Sequence, residues 1–69
     1  MQISARNTLK GTIKKITLGA VNAEVIIEIS QEVEIVPIIT NSSVERLGLT
    51  EGKIAYAIVK ASDVMIGVD

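Results

Sequence analysis

From Leu9 to Ile39 apolar and polar residues alternate with a period of two, the pattern of β-strands that bury one face. Leu9, Gly11 and Ile13 fall on one side, and Thr8, Lys10, Thr12 and Lys14 on the other. The apolar phase then moves to Ile16 and Leu18, so the Lys14-Lys15 pair holds one residue too many. A β-bulge absorbs such a residue and bends its strand, which predicts a sharply bent first strand. Gly19-Ala20 supplies a tight turn. After it Val21, Ala23, Val25, Ile27 and Ile29 alternate with Asn22, Glu24, Glu28 and Ser30, broken only by Ile26. Ser30-Gln31-Glu32 then turns the chain into a third strand over residues 33–40, which is apolar on both faces. Pro37 lacks the N–H a central strand needs, so it marks an edge or a bulge. A sticky edge carrying Val36 and Ile38 is expected to be covered by another subunit.

The pattern changes at Thr40. Asn41-Ser42-Ser43-Val44-Glu45-Arg46-Leu47-Gly48 offers capping hydroxyls, a Ser42-x-x-Glu45 capping box, apolar Val44 and Leu47, and Gly48 in the position that ends a helix. A helix of about two turns is predicted there. Leu49-Thr50-Glu51-Gly52 forms a turn into a fourth strand, in which Ile54, Tyr56 and Ile58 alternate with Ala55, Ala57 and Val59. Ala61-Ser62-Asp63 reads as a turn, and Val64-Met65-Ile66-Gly67-Val68 as a closing fifth strand. The expected fold is all-β: an OB-like five-stranded barrel with one short helix between strands 3 and 4, formed by residues 1–69 as a single domain. An SH3-like barrel and a swapped β-sandwich share much of this element order.

Composition sharpens the picture. Of 69 residues, 48 % are hydrophobic, yet Tyr56 is the sole aromatic and there is no Cys, His, Phe or Trp, so the core must be aliphatic. Domains this small usually need disulfides, a metal or oligomerisation for stability, and without Cys and His the third is the remedy left. Loss of the same two residue types removes thiolate and imidazole metal sites, nucleophiles and general bases, and with them most enzyme constellations. The net charge of −1 gives no basic field for nucleic acid. The longest apolar runs fall far short of the roughly 20 residues that span a bilayer, and the first residues have no apolar signal core. A cytoplasmic protein with no membrane or nucleic-acid partner is expected.

The remaining chemistry is hydroxyls and cations at the strand ends: Ser4, Arg6 and Asn7; Thr40, Ser42 and Ser43; Lys60 and Ser62. Such groups suit an oxyanion, whose oxygens accept from hydroxyls, backbone N–H groups at a helix start such as Asn41 to Ser43, and one or two cations. Taken singly each has a plainer role: Ser42 and Ser43 as helix caps, Lys60 as a solvated rim charge, Arg6 as a surface residue and Ser4 as a turn residue. Glu24 with Glu28 and Glu32 with Glu34 fit a solvated face better than an acid–base pair. Neither phosphate-loop glycine pattern occurs.

The opening Ile3-Ser4-Ala5-Arg6-Asn7-Thr8-Leu9-Lys10-Gly11 resembles the S-A-R-N-x-L-x-G motif of the molbindins, the small molybdate-binding Mop proteins. The resemblance runs on through Ala23-Glu24-Val25, Ile38-Ile39-Thr40, Ser43-Val44-Glu45, Leu47-Gly48-Leu49, Glu51-Gly52-Lys53 and Val59 to Met65. It implies an OB-like barrel, a homo-oligomer of six subunits, and molybdate or tungstate held at subunit interfaces with no direct protein–metal bond. The motif positions that would hold the oxyanion fall on Ser4, Arg6, Thr40, Ser43, Lys60 and Ala61. Two departures stand out: Ser30-Gln31-Glu32 replaces a turn that is often rich in glycine in the family, and Pro37 interrupts the third strand. The implied role is intracellular oxyanion storage or homeostasis. Two other roles compete with it: an oxyanion-sensing accessory module working through a separate partner, and an OB-like nucleic-acid module, which Tyr56 alone and the acidic balance disfavour.

Overall fold

The computed structural model describes all of residues 1–69. Its elements are β1 (Asn7–Leu18), β2 (Asn22–Ser30), β3 (Val33–Ile35), β4 (Ile38–Thr40), α1 (Asn41–Arg46) and β5 (Ile54–Val59), followed by a 3-10 turn at Ala61–Asp63. Together the strands form one antiparallel sheet in the order β3-β2-β1-β5, with β4 also paired to β2.

β1 serves two partners. Asn7 through Thr12 pair with β5, and Thr12 through Leu18 pair with β2. Between the β2-paired residues Ile13 and Lys15 the register slips, leaving Lys14 as the extra residue, so the predicted bulge lies where the apolar phase changes. The Lys14 ammonium donates to Glu34 Oε2 at 2.7 Å, with Glu28 at 4.0 Å. That hydrogen bond and the Glu34 charge raise the Lys14 pKa above its ordinary value. Just before the bulge the sheet folds tightly over Gly11, which is buried. A Cβ there would stand 2.5 Å from the Glu28 carbonyl oxygen and 2.7 Å from Ile27 Cγ2.

The third predicted strand is two strands. β3 lies along the second half of β2 and β4 along its first half, with Val36-Pro37 between them. Pro37 cannot donate to the ladder, yet its carbonyl still accepts from Val25 N–H at 3.0 Å, so the break costs little alignment. The helix therefore follows the fourth strand, at the chain position predicted for it but one strand later in the count. Residues 64–68, predicted as a closing strand, join no ladder; Met65, Ile66 and Val68 are each more than 90 % exposed. Between β2 and β3, Glu32 takes a positive φ of 65°, which a glycine would adopt without strain.

The core is small and aliphatic: Ile13, Ala23, Val25, Ile27, Val44 and Ala57, with Ile16, Ile29, Ile35, Ile39, Leu49 and Ala55 half-buried around it. β5 turns its smaller residues inward and its larger ones, Ile54, Tyr56 and Ile58, outward. An open apolar groove of about 600 Å3 remains, lined by Ile35, Pro37 and Ile39 on one side and by Ile54, Ala57 and Val59 of β5 on the other. No helix is long and apolar enough to cross a membrane.

Gly11→Ala is expected to destabilise the protein by about 1–3 kcal/mol, because the new methyl meets backbone as well as side chain. Urea denaturation at fixed protein concentration checks this, and an unchanged midpoint would show that β1 and β2 have room to part.

Candidate functional site

Two groups of polar residues gather at the two ends of β1. At the Asn7 end, residues 4–6 lead into β1 and Lys60-Ala61 leave β5, and the Asn7–Val59 pairing sets these segments side by side. Ser4, Ala5, Arg6, Lys60 and Ala61 line an open concavity of about 370 Å3. Both ion pairs in the structure belong to Lys14, so neither Arg6 nor Lys60 has a carboxylate within 4.0 Å. Two cations without an ion-pair partner give this hollow a local positive charge. Ser4 adds a hydroxyl, and Ala61, at the start of the 3-10 turn, can add only main-chain groups.

At the other end, Asn22 pairs with Thr40, and Thr40 closes β4 and caps α1. The cap is thus Thr40, not Ser42 as the capping-box reading had it; Ser42 lies inside the first turn. Ser43 N–H donates to Thr40 Oγ1 at 3.1 Å, and Thr40 Oγ1 donates to Ser43 Oγ at 2.8 Å, with Ser42 Oγ 3.1 Å from Thr40 Oγ1. Thr40 spends its one proton inside this cluster, which leaves the Ser43 hydroxyl proton free for an outside acceptor.

The far end of α1 is closed with equal economy. Gly48, at φ 63°, donates to Glu45 O and Leu49 donates to Val44 O, both at 3.0 Å, while Lys53 Nζ reaches the Leu47 and Gly48 carbonyls at 3.2 and 3.1 Å. This double closure holds a helix of six residues in place against β2 and β4.

The structure therefore brings Ser4, Arg6, Lys60 and Ala61 together, and Thr40 and Ser43 together, but within one chain it keeps the two sets apart at opposite ends of a 12-residue strand. Two further residues lie beside these sets: Ala5, which the sequence offers only as part of the opening motif, and Asn41, which it offers only for its backbone N–H at the helix start. Ala5 lines the cationic hollow between Ser4 and Arg6. Asn41 ties the β1–β2 turn to the helix start, its Nδ2 donating to Gly19 O at 2.9 Å and its N–H to Val21 O at 2.8 Å, and its buried Oδ1 has no partner.

The TOBE domain family model matches residues 3–66. The chain belongs to the TOBE domain family. This TOBE domain is 50 % identical over 66 residues to molybdenum-pterin-binding protein 2 of Clostridium pasteurianum, covering 96 % of this chain and 97 % of that one. Its fold is similar to that of MopII from the same organism, with a TM-score of 0.90 and 48 % identity over 97 % of this chain and all of that one. It is also similar to a cytoplasmic molybdate-binding protein, ModG, whose structure has molybdate bound: the TM-score is 0.93 at 46 % identity, over all of this chain and 49 % of that one. These likenesses support the OB-like fold and place the TOBE domain beside the Mop proteins.

Thr40→Val keeps the shape of the cap and removes its hydrogen bonds, at an expected cost of about 1 kcal/mol, whereas Thr40→Ser should stay near wild type. Amide hydrogen exchange at Ser43 gives the local readout, and equal protection in both variants would refute the capping role.

Proposed function

We propose that this TOBE domain binds molybdate reversibly, as cargo for storage or homeostasis in the cytoplasm, at sites shared between copies of the chain. Ser4, Arg6, Lys60 and Ala61 of one copy supply the cationic half, and Thr40 and Ser43 of a second copy supply the hydroxyl half. The observation that carries this reading is the separation of the two halves: each is incomplete, and one chain cannot close them on a single ion. Support comes from ModG, solved with molybdate bound, and from relatives named for molybdenum binding.

A tetrahedral dianion must exchange its water for fixed donors when it enters such a site. Arg6 and Lys60 offset its charge, and Ser4, Ser43 and main-chain N–H groups at Ala61 meet its oxygens. Every contact is made to oxygen, so tungstate fits the same donors. Sulfate is smaller and would leave some of them stretched, at about 1–3 kcal/mol for each group poorly satisfied. The work of the site is binding, not catalysis: its hydroxyls and cations hold an ion and have no imidazole or thiol beside them to act as base or nucleophile.

Sharing the site requires a homo-oligomer, and the resemblance to molbindins favours six subunits. The exposed row Ile54, Tyr56 and Ile58 and the open groove supply apolar surface for assembly. The apolar segment Val64 to Val68, unpaired in its own chain, would then close the barrel of a neighbour by lying between β5 and the β3–β4 edge.

Ser43→Ala combined with Lys60→Ala should weaken molybdate binding by at least tenfold, the loss of about 1.5–3 kcal/mol expected for even one hydrogen bond to a charged group. Isothermal titration with molybdate, with sulfate as control, measures it, and an unchanged affinity would show the site to be elsewhere. Removing residues 64–69 should lower the mass measured by light scattering to that of a smaller species; retention of the wild-type mass would exclude the exchanged closing strand.

A further inference from the structure

The cationic half-site has an electrostatic consequence for assembly. Arg6 and Lys60 line the same hollow, and no carboxylate stands within 4.0 Å of either to neutralise them. In an isolated chain, open water screens the two charges. When a second copy covers the hollow, water leaves, the effective dielectric falls and the repulsion between the two cations grows. The two residues of the covering half that would face the ion bring no charge to relieve it: Thr40 and Ser43 are neutral, and the Thr40 proton already points into its own cluster. An empty interface thus traps two like charges, and a filled one traps two charges balanced by a dianion.

We propose that the bound oxyanion acts as an electrostatic latch on the assembly, so that empty sites loosen the subunit interface and filled sites tighten it. The proposal rests on the shared site described above and adds its regulation. Apolar contacts through the groove and the outward row of β5 hold the copies together without the ion, and the latch sets how readily they exchange. Because binding and assembly share one free energy, the coupling is reciprocal: molybdate affinity rises with protein concentration, and an oligomer stripped of its ions trades subunits faster than a loaded one.

The test is subunit exchange between unlabelled protein and 15N-labelled protein, followed by native mass spectrometry without added ion, with molybdate, and with sulfate at equal ionic strength. Molybdate is expected to slow the mixing by about tenfold, within the usual range of coupling between sites, and sulfate to have little effect. Arg6→Gln combined with Lys60→Gln removes the repulsion, so this variant is expected to mix slowly without any ion and to ignore molybdate. Equal wild-type mixing rates with and without molybdate, in samples whose mass spectra show the ion bound, would overturn the latch and leave molybdate binding intact. A neutral variant that mixes as fast as the ion-free wild type would overturn it as well. A wild-type protein that takes up no molybdate would remove both the latch and the binding function on which it rests.

Discussion

The rest of the molecule depends on one strand that changes partner half-way along its length. β1 pairs with β5 up to Thr12 and with β2 from Thr12 on, and the change of direction needs both the extra residue Lys14 and the bare Cα of Gly11. A straight strand would give a flat sheet with no interior. The bent one coils the sheet around Ile13, Val25 and Ile27, and it carries the two polar sets outward to opposite ends.

The same bend leaves the chain short of cover. Its core has six residues, and β5 gives that core Ala57 while showing Ile54, Tyr56 and Ile58 to solvent. A small aliphatic core contributes little stability by itself, and the groove between β5 and the β3–β4 edge is bordered by strand edges with backbone groups to satisfy. In the proposed shared site, a second copy of the chain would answer both the incomplete burial and the separation of the two polar sets. Assembly would bury the apolar surface and complete the ring of donors in a single step.

Much of this could be read from the residues. The period-two runs marked β1 and β2, the phase change at Lys14-Lys15 located the bulge, and Gly48 ended the helix, because each depends on contacts close in sequence. Pro37 was visible as an interruption, but whether it ends a strand or only kinks it depends on β2 beside it, which pairs on both sides of the break. The helix cap moved from Ser42 to Thr40 because the hydroxyl that ends β4 is already aimed at the Ser43 N–H. Val64 to Val68 has the composition of a strand yet joins neither free edge of its own chain, that of β5 or that of β3 and β4, and alternation of residues does not reveal whether an edge is taken. The separation of Thr40 and Ser43 from Arg6 and Lys60 was hidden for a related reason: a list of polar residues carries no distances, and these emerge only from the register of β1 with both neighbours.

A site shared between copies makes a demand that a site within one chain does not. Two variants, one lacking Ser43 and the other lacking Arg6 and Lys60, should each bind molybdate poorly alone. Unfolded together and refolded as mixed oligomers, they should regain about a quarter of the wild-type binding capacity, because random mixing pairs an intact cationic half with an intact hydroxyl half at that fraction of interfaces. Equilibrium dialysis with molybdate gives the answer directly. Recovered capacity in the mixture is the predicted result. A mixture that binds no more than its two components, although mass spectrometry shows them co-assembled, would contradict a site built from two chains.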